Sequence, residues 1–318
     1  MGRPTGLEPA TPGFTILCSN QLSYDRRKGR RKSRSCFRLS THLPAPAHLR
    51  LAVCVPILAP SIMPRLRLVT FNIAHGRGLT PIQGLTSQRK LRVNLRKIAA
   101  LLDRLAPDVV ALQEIDERSR WAGNFDHLDY LRVHTRFPHS IFGINNRRAG
   151  LLNLSYGNAV LSRHAIRSAE TVVFGQRQLG EKGFLYVELD VGGRCLPLVN
   201  LHLHFGSRGQ RLRQLERLLA WLREKHRLHR KTWIVPPIIC GDFNNPGHSD
   251  DATASLLSHL SDYCDYVMHP VAGFTYPSPL PQRALDFVFL PAGCMKVHSE
   301  VVRSMLSDHR PVVVEFDF

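Results

Sequence analysis

The chain has 318 residues, 43% of them hydrophobic and 21% charged, with a net charge of +18 and a pI near 10.3. That length and apolar content exclude a disordered chain and support one large domain or two ordinary ones around a sizeable core. The basic excess favours phosphate-rich partners such as nucleic acid, nucleotides or anionic lipid surfaces, and seven cysteines without a CxxC pair exclude a disulfide framework and a zinc site.

That cysteine usage points to a reducing compartment, read as cytoplasmic. Residues 1–62 read as a basic, non-globular extension. They hold ten Lys and Arg against two Asp and Glu, which leaves 33 and 23 for the remainder. The run "DRRKGRRKSR" (25–34) is solvated, and "LAVCVPILAPSIM" (51–63) is broken by Pro56 and Pro60 and too short to span a bilayer. Its apolar run begins too far in for an N-terminal signal, so export or membrane tethering would require this segment to be translated. The opening "GRPTGLEPATPGFTILCSNQLSYDRR" (2–27) resembles a stretch that recurs at the start of over-extended bacterial gene models. Met63 is therefore expected to be the true start, and 63–318 the folded domain.

From there the pattern is regular. "RLRLVTFNI" (65–73) alternates like a strand. In 87–105, Leu91, Leu95, Ile98, Leu102 and Leu105 recur at helical spacing, and Pro107 stops the helix. "DVVALQEI" (108–115), "GNAVLSR" (157–163), "FLYVELDV" (184–191) and "CLPLVNLHL" (195–203) read as strands. A second amphipathic helix over 210–227 carries Leu212, Leu215, Leu219 and Leu222 on one face. Strands over 233–243, 285–290 and 311–318 follow. Many strands with few helices between them predict a single α+β domain of two stacked sheets flanked by helices.

Polar residues interrupt these apolar runs at their ends. Asn72, Glu114, Asp242 and Asn244 close strands, Asn158 follows Tyr156 and Gly157, and His202 sits inside "LVNLHL". Asp286 opens "LDFVFL", while Asp308 and His309 precede the last strand. Singly, each fits a turn, a solvated strand end or a satisfied core histidine. Together they need a common cause, because buried carboxylates and imidazoles are costly unless paired or bound to metal. A divalent-metal phosphoesterase site supplies one. It needs hard oxygen ligands, a proton acceptor for water, a carboxylate to orient an imidazole, and donors for phosphoryl charge. Glu114 and Asn72 suit the metal and His309 the base, with His202, Asn158 and Asn244 as donors. Alternation places Asp242 and Asn244 on one face and Phe243 on the other.

Seven stretches carry a resemblance: "TFNIAHG" (70–76), "DVVALQEID" (108–116), "YGNAVLSR" (156–163), "LVNLHL" (198–203), "ICGDFNN" (239–245), "RALDFVFL" (283–290) and "SDHRPVVVE" (307–315). In wording and order they resemble the endonuclease/exonuclease/phosphatase superfamily, the deoxyribonuclease-I-like metal hydrolases. The resemblance spans 64–318 and implies a four-layer α/β/β/α sandwich. It implies Glu114 as principal Mg²⁺ ligand, Mn²⁺ being an alternative, with Asn72 beside it and Asp308 helping to hold metal. Asp242 would align or deprotonate the attacking water, and Asn244 would position phosphate. His309 would be the general acid/base oriented by Asp286, and His202 a second donor, with Glu181 a candidate partner for it.

Ile115-Asp116 after the metal Glu, and His202 where abasic-site endonucleases tend to carry Tyr, argue against an abasic-site repair enzyme. The wording is closer to compact bacterial stand-alone members and to the sphingomyelinase and phosphatase side. Residues 130–158, with Arg147 and Arg148, are expected to form a substrate-facing loop. Residues 274–286, with Phe274, Tyr276 and Arg283, are expected to line the cleft. Tyr156, Asn158 and Arg283 are the substrate-binding candidates. Nucleic acid, a phospholipid head group and a phosphorylated metabolite all stay open as the phosphate ester, and a monomer with no obligate protein partner is expected. A non-catalytic binder on the same fold would have lost the metal or base residues, which are present.

Overall fold

The computed structural model describes residues 64–150, 153–175, 180–245 and 251–318. The expectations for 1–62 and for Met63 as start lie outside the described residues.

One sheet is built from β1 (Arg65–Asn72), β2 (Val109–Asp116), β3 (His139–Arg148), β4 (Leu154–Ser162), β11 (Met295–Val301) and β12 (Val312–Asp317), in the order β11-β12-β1-β2-β4-β3. The second contains β5 (Ala165–Val173), β6 (Gly183–Val191), β7 (Arg194–His202), β8 (Ile238–Asp242), β9 (Tyr266–His269) and β10 (Asp286–Pro291), in the order β5-β6-β7-β8-β10-β9. Each sheet holds one parallel pair at its centre. Helix α1 (Gln88–Leu105) connects β1 to β2, and α3 (Arg208–His229) connects β7 to β8. The two shorter helices are α2 (His127–Thr135) and α4 (Ala252–Leu260).

Period-two alternation distributes the apolar residues over three cores. Leu66 and Leu68 of β1 meet Leu185 and Val187 of β6, Leu198 of β7 and Val288 of β10 between the sheets. Val69 and Phe71, on the other face of β1, pack under Leu91, Leu95, Ile98 and Leu102 of α1. Val199, Ile239, Phe243, Phe287 and Phe289 pack under Leu215, Leu219 and Leu222 of α3 and Leu256 of α4. The result is the expected four-layer α/β/β/α sandwich. Both long helices begin on serine: Ser87 accepts from the Lys90 amide and Ser207 from the Gln210 amide, satisfying N–H groups that no helical turn can reach.

Two expectations differ from the structure. The strand expected over 233–243 is confined to Ile238–Asp242, because Pro236 and Pro237 have no N–H to give the sheet. The loop expected over 130–158 is mostly the end of α2 and the edge strand β3 with its partner β4.

The sheets are joined beneath one end of the sandwich by buried amides. Gln113 Nε2 donates to Asn200 Oδ1 at 2.7 Å, and Asn200 Nδ2 donates to the Leu112 and Ala159 carbonyls. Asn158 Nδ2 donates to the Gly183 and Asn200 carbonyls, each at 3.1 Å. All three side chains are fully buried, so these bonds fix the relative position of β2, β4, β6 and β7 just below the polar strand ends.

Candidate active site

The polar strand ends converge because both parallel pairs point the same way. His202 ends β7, Asp242 ends β8 and Asp286 opens β10. Register makes His202 and Asp286 the two cross-strand neighbours of Asp242, so the three form a row across the second sheet. Across the cleft, Asn72 ends β1 opposite Gln113, one residue before Glu114 on β2. His309 reaches in from the segment before β12. Asn72, Glu114, His202, Asp242, Asn244, Arg283, Asp308 and His309 all line one cavity of about 290 Å³, together with Arg77, Lys182, Phe205 and Tyr276.

Glu114 is aimed there by a β-bulge. Ile115 pairs with Gly157 and Leu112 with Ala159, so Gln113 and Glu114 together face Asn158 alone, and Glu114 adopts φ +52°. The neighbouring Ala74 and His75 (φ +47° and +55°) and Asn244 (φ +52°) are also left-handed. Hydrogen bonds hold this strain in place. Asn72 Oδ1 accepts from the Ala74 amide at 3.0 Å, and Asp242 Oδ1 accepts from the Asn244 amide at 2.9 Å.

The electrostatics divide the site. Asp242 is 1% exposed, and burial, with the like charge of Asp286, raises its pKa to about 7 against the opposing His309, Asn72 and Asn244. Asn72 Nδ2 donates to its Oδ2 at 2.9 Å. Burial alone would lower the pKa of His309, but Asp286 and Asp242 outweigh it and raise it to about 10. Its Nδ1 meets Asp286 Oδ2 at 2.8 Å, and its Nε2 lies 3.7 Å from Asp242 Oδ2. Tyr276 packs on the His309 ring at 4.9 Å between centroids. Glu114 is the reverse case. Burial opposes its charge, but Lys182 and, after it, His75 hold it ionised well below the usual carboxylate range.

Several of these groups were not singled out from sequence. Lys182 Nζ lies 3.3 Å from Glu114 Oε1 and 3.3 Å from His202 Nδ1. Glu181 was expected to partner His202, but the contact with His202 Nδ1 is made by the next residue, and Glu181 instead accepts from the Lys182 backbone. His75 Nε2 lies 3.6 Å from Glu114 Oε2, while its Nδ1 meets the fully buried Asp116 at 2.7 Å. Trp121 Nε1 donates to the other Asp116 oxygen at 2.9 Å. Arg77 pairs with Asp308 at 2.8 Å. His75 and Asp116 both lie inside quoted motifs, "TFNIAHG" and "LQEID", so their signal was adjacency to Asn72 and Glu114.

Three candidates stand elsewhere. Asn158 spends its amide donors on backbone carbonyls between the sheets and does not line the cavity. Tyr156 is buried behind His75, 5.6 Å between ring centroids, and its hydroxyl accepts from the Gly180 amide. Arg147 pairs with Glu117 on the surface instead of facing the cleft. Phe243 packs with Phe287 and Phe289 on the helix side of its sheet, as the alternation requires.

Two groupings offer ligands to a cation. Asp242, Asp286 and His309 bring ligand atoms within 4.8 Å of one another, all buried. Those atoms are already engaged with each other, with Asn72 and with Asn244. Glu114, Asn72 and Asp308 supply hard oxygens to the cavity, and Glu114 is already surrounded by cationic and imidazole groups. That oxygen donor set fits a hard divalent cation.

A family model, the Endonuclease/Exonuclease/phosphatase family, matches residues 69–309, and the chain belongs to that family. Family members are hydrolases of phosphoester bonds, and this chain is a hydrolase of that type. Solved structures share the fold. An endonuclease/exonuclease/phosphatase from Beutenbergia cavernae is 23% identical with a TM-score of 0.60, over 80% of this chain and 72% of that one. Sphingomyelinase C from Streptomyces griseocarneus is 23% identical with a TM-score of 0.59, over 79% and 99%. A mannosyl-6-phosphatase from Bacteroides thetaiotaomicron is 16% identical with a TM-score of 0.58, over 80% and 100%. A search of curated protein sequences found no match.

Proposed function

We propose that the protein is a Mg²⁺-dependent phosphoesterase that hydrolyses a phosphodiester by direct attack of water. The observation that carries this reading is the row His202–Asp242–Asp286, closed by His309 and facing Glu114 and Asn72 across one cavity. Glu114, with Asn72 and Asp308, would hold the cation, which draws charge off the phosphoryl group when bound.

The protein's own groups divide the remaining work. Asp242, with a pKa near 7, accepts a proton from water as the water oxygen bonds to phosphorus. His309, held protonated by Asp286, faces the phosphoryl oxygens as a charged donor and delivers a proton to the departing oxygen when the P–O bond breaks. His202 stays neutral, because burial and Lys182 lower its pKa well below the usual range. It offers an Nε2–H to the same oxygens. Arg283 and Tyr276 wall the substrate side.

Hydrolysis of bis(p-nitrophenyl) phosphate tests the reading without naming a biological substrate. Activity should require Mg²⁺ or Mn²⁺, disappear in EDTA and return on adding either metal. EDTA-resistant turnover, or full activity in Glu114→Gln, would overturn it.

A further inference from the structure

The large apolar side chains left in solvent are unevenly distributed. Leu79, Ile82 and Leu85, 44%, 58% and 71% exposed, lie on the loop between β1 and α1. Phe205, 74% exposed, lies between β7 and α3 and lines the catalytic cavity. Phe274 and Leu280 lie on the connection between β9 and β10, which also brings Tyr276 and Arg283 to the cavity. These three loops leave the same end of the sandwich, because Asn72 and His202 end their strands there and Asp286 begins its own. At the opposite end, the described connections 106–108, 136–138, 163–164, 192–193, 230–237, 261–265 and 292–294 carry no exposed large apolar side chain, and single ones, Val133, Leu228 and Met295, stand exposed on the elements flanking them.

The three loops carry no carboxylate: residues 73–87, 203–207 and 270–285 contain Arg77, which pairs with Asp308, and Arg283, but no Asp or Glu. Arg77 also joins the catalytic cavity to a groove of about 680 Å³ that runs along α1 past Arg89, Lys90 and Lys97. Apolar loop tips beside a basic surface suit the boundary between head groups and acyl chains of an anionic bilayer. A single-stranded nucleic acid would use the basic groove but needs aromatic faces for its bases. Leu79, Ile82 and Leu85 offer none.

We propose that the catalytic end docks on an anionic lipid bilayer, and that the substrate is a lipid phosphodiester presented at that surface. The substrate class rests on the phosphoesterase reading; the docking does not. The docking loops would place the cavity mouth at head-group depth, where Phe205 and Phe274 would lose their contact with water.

The test compares the full chain with a Leu79→Ser/Ile82→Ser/Leu85→Ser variant. Both carry residues 1–62, so the basic charge of that segment cancels in the comparison. Co-sedimentation with phosphatidylcholine vesicles containing phosphatidylserine should show the variant binding about tenfold more weakly. Hydrolysis of soluble bis(p-nitrophenyl) phosphate should be equal in the two, and thermal denaturation should show both folded. Metal-dependent release of head group from the same vesicles should fall with binding. Equal vesicle binding by wild type and variant overturns the docking. So does tighter capture of a fluorescent single-stranded oligonucleotide than of vesicles, with the variant unaffected in both. Soluble turnover with no loss of vesicle binding leaves the phosphoesterase reading standing alone. Vesicle binding that depends on the three residues, without turnover of any phosphodiester, removes the phosphoesterase reading instead.

Discussion

Lys182 places its ammonium 3.3 Å from His202 Nδ1. An ammonium can only donate, so Nδ1 accepts and the ring proton resides on Nε2. Nε2 lies 3.4 Å from Asp242 and 3.9 Å from Glu114, facing the cavity. Lys182 thereby fixes the tautomer that makes His202 a donor, while its second contact balances Glu114.

Lys182→Met should free that tautomer without emptying the site. Steady-state kinetics on a phosphodiester should show kcat about tenfold lower, with the folded structure retained. Lys182→Arg keeps a donor-only cation and should recover part of the loss. If Lys182→Met matches wild type in kcat, Lys182 does not position His202.

His309 presents a different problem, because Asp286 depends on it. Asp286 is fully buried, its Oδ2 meets His309 and its Oδ1 has no partner among the described residues. His309→Ala should therefore lose activity by about a hundredfold or more and also destabilise the fold by about 3 kcal/mol, since an unpaired buried carboxylate remains. His309→Ala/Asp286→Asn removes that charge. Denaturant unfolding should show the double variant regaining stability while the assay shows no recovered activity. Recovery of both would mean that His309 acts only as a structural partner.

Much of this arrangement was legible in the sequence because it follows from periodicity. Strands that alternate and stop on a polar residue predict the sheets and their charged ends, and the seven motifs hold Asn72, Glu114, Asp242, Asp286 and His309, which the fold brings together at one end. What was missed had weak local pattern. Strand β5 and strand β11 are edges with exposed polar residues, as in "AIRSAETVV" and "MKVHSEV", so no apolar run marks them. Asn158 reads like a strand-end donor, yet only the three-dimensional approach of β6 and β7 shows that its amide is spent between the sheets. Lys182 beside Glu181 is a choice between two adjacent residues. Strand direction at Gly183 decides it, and local sequence does not.

Stability of the metal-free protein should depend on pH through His309 and Asp242. Both folded pKa values are raised, from 6.5 to about 10 and from 3.8 to about 7. A raised folded pKa means that the native state binds the proton more tightly than the unfolded chain. The His309 contribution is thus fully present below pH 6.5 and lost as pH rises through about 10. That of Asp242 is present below 3.8 and lost through about 7. Melting temperatures in EDTA should fall from neutral pH towards pH 10, and the slope should be shallower in His309→Gln. A melting temperature that rises over that window in wild type would reverse the assigned sign.

Gly157 shows how tightly the site's scaffold is drawn. It sits on β4 beside Asn158, between the bulge that aims Glu114 and a second irregularity at Asn145 on β3. A Cβ there would lie 1.9 Å from the Gly143 carbonyl oxygen and 2.8 Å from the Asn145 amide nitrogen, both backbone atoms that cannot rotate away. Gly157→Ala should therefore separate β3 from β4 and cost about 3 kcal/mol. Activity should fall with it, because the displaced strand carries the Asn158 amide that ties the sheets. Gly209, in the first turn of α3, is the control. A Cβ there meets the Arg213 side chain at 3.7 Å and the Ser207 hydroxyl at 4.0 Å, both ordinary contacts, and alanine stabilises a helix by about 0.5–1 kcal/mol over glycine. Thermal melts should move in opposite directions for the two substitutions. A Gly157→Ala protein as stable as Gly209→Ala would mean that β3 and β4 do not approach as closely as 1.9 Å implies.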